Sequence, residues 1–242
     1  MKLLAVETKL YLRDWYSLLI TVGLPVGLLL VLGLSIPAFT EPGEGGERFV
    51  DTQLPTMMTM LTVLSLTCTA VPAALSTYRE QGVLRRMSTT PVHPARLLGT
   101  QLLINLAVAV VSTLILIVAG ALAYGSAAPR QWAGFVLVFL LGSAAMMAIG
   151  LVIAALARNA KTAPGIGSAV MFPLLFLAGM WVPRDIMPDA LRVVSDFSVS
   201  GPFAQALRDT WAGHPPQLLH LAVIGAGLAI FGGLAVRLFR WE

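Results

Sequence analysis

Six stretches of this chain run for about 20 residues or more without an Asp, Glu, Lys or Arg: Ser17–Phe39, Leu54–Thr77, Leu97–Ala123, Trp132–Ala157, Thr162–Val182 and Gln217–Val236. A helix needs about 20 mostly apolar residues to cross a hydrocarbon core some 30 Å thick. Each stretch therefore predicts a membrane-spanning helix, and the third and fourth are long enough to tilt. Charged residues make up only 12% of the 242, about half the share usual in soluble domains.

The charges outside these stretches orient the bundle. With an even number of spans, the N-terminus, the loop around Arg79–Arg96, the loop Arg158–Lys161 and the C-terminus share one side and carry eleven Lys and Arg against four acids. The opposite side carries five against eight. The positive-inside bias puts both termini in the cytoplasm, and explains the net charge of +4 without nucleic-acid binding. Arginine outnumbers lysine 13 to 3, which suggests a GC-rich bacterium and hence its plasma membrane.

Residues 1–15 read as an interfacial helix. Lys2, Lys9 and Arg13 share one face while Leu3, Leu4, Leu10, Tyr11 and Trp15 occupy the other, a pattern suited to the inner headgroup layer. Glu7 and Asp14 lie within its apolar arc and suit a protein partner; at an N-terminus they also speak against a cleaved signal peptide. On the external side, residues 183–214 are too polar to span. Leu191, Val194 and Phe197, then Phe203, Leu207 and Trp211, recur at helical spacing, predicting two short amphipathic helices, either re-entrant in the outer leaflet or forming an external cap.

Several chemistries find no support. Among Asp, Glu, Lys, Arg and His only His220 falls inside a span, near its outer end, whereas ion-coupled transport relies on ionisable groups near the midplane. His93, His214 and His220 form no H-E-x-x-H zinc motif, and no G-x-x-x-x-G-K-[ST] phosphate cradle occurs. There is no G-x-S-x-G nucleophile elbow either. The lone Cys68 lies in an apolar stretch and reads as packing. If the protein moves a cargo uphill, the energy comes from another chain.

The loop after the second span has a composition of its own. Arg79–Ser88 forms an amphipathic pattern with Val83, Leu84 and Met87 as apolar contacts, closed by Thr90-Pro91, and Pro94 suits the start of the next helix. By composition alone it is a basic loop that touches anionic lipid, or a docking helix for a cytoplasmic protein.

Glu80-x-Gly82-x-Leu84-Arg85-Arg86 followed by Thr90-Pro91-Val92 resembles the loop of ABC-2 type transporter permeases, closest to the drug-export branch with the daunorubicin-resistance permeases. Gly179-Met180-Trp181-Val182-Pro183 with Pro188, and Pro202-Phe203 through Ala206-Leu207-Arg208, are similar to that family's elements around its external helices.

The resemblance implies one all-α integral membrane domain over 1–242: six transmembrane helices, the N-terminal interfacial helix, a cytoplasmic coupling helix at 78–91 and short external re-entrant helices. It implies a permease subunit, not an enzyme, that pairs with a second permease copy and with separate ATPase subunits carrying ATP and Mg, and exports small hydrophobic or amphipathic compounds. Alternatives are lipid-linked or glycan cargo, or a non-transporting sensor or scaffold. Contacts to the ATPase would come from Glu7, Asp14, Arg79, Glu80, Gly82, Leu84, Arg85, Arg86, Met87, Thr90 and Pro91. The pathway would be lined by Met57, Met58, Thr59 and Thr62 of the second span, whose flexible and small side chains suit varied cargo, and by Phe172, Phe176 and Met180 of the fifth.

Overall fold

A computed structural model describes residues 8–82 and 95–238, apart from Leu10, Leu12, Glu44, Gly45, Ala127, Arg158 and Pro183. The described elements are helical; the one β-type contact is an isolated bridge between Pro42 and Arg48.

A helix stands at each of the six expected positions. Helix α1 runs through Trp15–Leu18, a π-helical turn Leu19–Gly23 and Leu24–Ser35. Helix α2 is Gln53–Glu80 and includes the π turn Leu66–Ala70. Then come α3 (Ala95–Tyr124), α4 (Trp132–Leu156), α5 (Ala163–Leu177), the short α6 (Asp189–Phe197) and α7 (Ser200–Ala212), and α8 (Leu218–Leu238). Four of them (α2, α3, α4 and α8) are long and apolar enough to cross a membrane, while α1 and α5 contribute shorter apolar helices. Thr8, Lys9, Tyr11 and Arg13 are helical too, and Asp14 separates them from α1.

Two boundaries have local causes. The fifth expected span, Thr162–Val182, ends as a helix at Leu177. Gly179 takes φ +79°, and the amides of Ala178, Gly179 and Met180 bond back to Leu174, Phe176 and Leu175, a glycine-terminated helix end. The π turns each precede a proline, Pro25 and Pro72. Pro72 has no N–H for the carbonyl of Cys68, four residues earlier, so the ladder widens there to i→i+5.

The widened turn positions α2 among its neighbours. An added Cβ on Gly150 of α4 would lie 2.5 Å from the carbonyl oxygen of Thr67, and one on Gly167 of α5 would overlap that of Cys68. Helix α2 is thus held between two glycines, and it is the most enclosed of the long helices, with 78% of its apolar window buried against 22% for α8. The hydrophobic core joins Leu54, Met60, Val63, Leu64 and Leu66 of α2 to Val138, Phe139 and Met146 of α4 and to Phe203, Leu207 and Trp211 of α7. Phe203 fills the space a side chain at Gly142 would need. Trp211 meets Phe135 edge-on at 5.1 Å, an arrangement that adds about 0.5–1.5 kcal/mol to the burial itself.

Candidate functional site

The last turn of α2 is where three helices are tied together. Arg79 reaches across and donates to the carbonyls of Ala157 (2.8 Å) and Ala154 (3.2 Å). These are C-terminal carbonyls of α4 without a helical partner, and a cation there also opposes the negative end of the helix dipole. Glu80 accepts the amide of Ala160 through Oε1 at 2.8 Å, fixing the link between α4 and α5. That link is stiffened by Asn159, whose Oδ1 accepts the Thr162 amide at 2.8 Å. From α3, Gln101 donates to the hydroxyl of Tyr78 at 3.1 Å. Gly82 follows with φ +64°, and the amides of Gln81 and Gly82 return to Thr77 and Arg79, so a residue without Cβ ends the helix.

Of the residues expected at a partner contact, Arg79, Glu80 and Gly82 therefore gather at this end. Asp14 lies at the start of α1, where its Oδ1 accepts the Ser17 amide at 3.2 Å as an N-cap. Glu7, Leu84, Arg85, Arg86, Met87, Thr90 and Pro91 lie outside the described residues.

The expected pathway residues do not share one surface. Met58, Thr59 and Thr62 are enclosed within the bundle. Thr62 donates to the Met58 carbonyl at 3.1 Å and faces Ser112 of α3 at 3.5 Å. Met57 and Met180 pack at the margin of the core, Phe176 is half-buried, and Phe172 stands outward.

At the other end a set of ion pairs and hydrogen bonds fastens the short helices and the adjoining loops, and none of it was assigned from the sequence. Arg184 forks onto Asp196 at 2.9 and 2.6 Å, and Gln205 donates to the same carboxylate at 3.2 Å. These bonds, the Arg184 ones first, hold the Asp196 carboxyl below the usual carboxylate range. Arg208 of α7 donates to Gln53 Oε1 at the start of α2, at 3.2 Å. Arg48 forks onto Asp51 at 2.8 and 2.9 Å and also reaches the carbonyl of Tyr124 at the end of α3. Alternating charge within residues 184–209 is the signal that such pairs were available, but their partners lie on separate elements.

Long apolar helices joined by short polar connections, with the ion pairs among the described residues gathered at one end and charged side chains bonding helix ends at the other, define a multi-pass membrane protein. The sequence profile of the ABC-2 type transporter family matches residues 1–211, and the chain belongs to that family. It is also similar to YvfS of Bacillus subtilis (strain 168), which bears the name "Putative transport permease": 23% identity over 230 residues, covering 93% of this chain and 90% of that one.

Proposed function

We propose that the chain is the membrane permease subunit of an ATP-driven exporter of small hydrophobic or amphipathic compounds, energised by a separate ATPase on the cytoplasmic face of a bacterial plasma membrane. Family membership supports the permease role. The observation that carries the coupling is the tie at Arg79 and Glu80, which fastens the end of α2 to α4 and to the α4–α5 link. A push on the segment that follows Gly82 is then delivered to three helices at once. Arg79 and Glu80 transmit, while Leu84, Arg85, Arg86, Met87, Thr90 and Pro91 make the contact, with Glu7 and Asp14 beside them.

In this reading both termini are cytoplasmic, and two permease copies enclose the pathway. Its lining is assigned to the outward Phe172 of α5, the half-buried Phe176 and Met180. Met57, Met58, Thr59 and Thr62 of α2 are assigned to its lining as well. The test is co-purification with a phosphate-loop ATPase followed by hydrolysis assays in nanodiscs. Arg85→Glu/Arg86→Glu should abolish capture of the ATPase while leaving the permease folded. Undiminished capture would remove the segment from the coupling role.

A further inference from the structure

The only histidine inside the six apolar stretches of the sequence, His220, meets a carboxylate in three dimensions. His220 Nδ1 on α8 and Asp209 Oδ2 on α7 stand 3.8 Å apart, and neither atom has a hydrogen-bond partner among the described residues. The imidazole is 8% exposed and the carboxylate 30%, so the histidine is shielded while the acid keeps contact with the surface.

The neighbouring charges are committed elsewhere. Asp196 is answered by Arg184 and Gln205. Arg208 donates to Gln53 and to the Ala204 carbonyl. Arg130, beside the turn at Gly213, pairs with Glu47 at 3.8 Å. His214 is exposed beyond the end of α7. Helix α4, which makes the most extensive contact with α8, contains no charged residue. Arg208 and His214 also act on the Asp209 carboxylate at longer range, but His220 is the group that stands directly against it. A neutral imidazole can already turn its Nδ1–H toward the carboxylate, and a second proton makes an imidazolium that a carboxylate at this distance attracts far more strongly in a low-dielectric setting. Burial also raises the Asp209 carboxyl above its usual range.

We propose that Asp209 and His220 form a proton-binding site that, when occupied, draws α7 onto α8. One proton from bulk water adds to the imidazole nitrogen or the carboxylate oxygen, and no other bond changes. Because α7 also packs on α2, α4 and α5, the site makes the closure of this end of the bundle respond to the pH of the adjoining solution. The transport reading is not needed for it.

The test follows the His220 Cε1 resonance of the full chain in nanodiscs, in a His93→Gln/His214→Gln background where it is the sole histidine. Asp209→Asn should lower the proton affinity of the site at least tenfold, moving the midpoint by about one pH unit or more, and Asp209→Glu should restore most of it. The thermal midpoint should vary with pH over the same range in the wild type and lose that dependence in His220→Gln. An unchanged resonance midpoint in Asp209→Asn overturns the proposal. If that variant fails to fold, a His220→Gln pH profile identical to the wild type overturns it instead.

Discussion

The carbonyl oxygen of Cys68 occupies the place a side chain on Gly167 would take. Pro72 creates this relationship by withholding the amide that would have bonded that carbonyl. Gly167→Ala must push α5 off α2 or re-form the π turn. The expected cost is that of overpacking, about 1–3 kcal/mol, read as a lower thermal midpoint and lower yield in detergent. Two residues earlier, Gly165 has open space around its Cβ position. Gly165→Ala is expected to be neutral or to stabilise by up to about 1 kcal/mol through helix propensity.

Arg79 bonds two carbonyls of the α4 terminus, and a hydrogen bond to a charged group is worth about 1.5–3 kcal/mol. Arg79→Ala should therefore lower the stability of the permease alone, with no ATPase present, by roughly that amount. Arg79→Lys should recover little, since a single ammonium does not reproduce a planar fork. Equal thermal midpoints for wild type and Arg79→Ala would show that the tie does not hold α4.

The Arg184–Asp196 pair predicts an acid-labile fold at the end carrying α6 and α7. Asp196 is held below the ordinary carboxylate range, with the Arg184 bonds the largest cause. A depressed folded-state value contributes stability that is complete above the unfolded value, near 3.9, and is lost as pH falls through the lower folded value. Wild-type thermal midpoints should fall more steeply below about pH 4 than those of Asp196→Asn, which starts less stable and lacks this dependence. Parallel curves would contradict the assignment.

The six helix positions were legible because uninterrupted apolar runs of that length have few other folded fates. Their details depended on chemistry that composition hides. Pro72 sits in a run that reads as smooth helix, so the π turn and its contacts with Gly150 and Gly167 were not anticipated. Gly179 was read within the fifth span, whereas its left-handed backbone ends α5 at Leu177. Arg79 and Glu80 were read toward a partner, yet each also bonds residues more than 70 positions away, and sequence spacing carries no such information. The threonines and methionines of α2 were recognisable as small or flexible, but which face they take depends on what surrounds the helix. His220 was visible as an isolated histidine; the turn between α7 and α8 was needed to bring Asp209 to it.

We propose that this bundle is driven from outside itself, through the segment after Gly82. The most direct measurement is ligand-stimulated ATP hydrolysis by a phosphate-loop ATPase reconstituted in nanodiscs with this chain, comparing wild type with Glu80→Ala and Arg85→Glu/Arg86→Glu. Stimulation is expected with the wild type and its loss in both variants, with folding retained in each. Stimulation that persists undiminished in both folded variants would contradict the proposal.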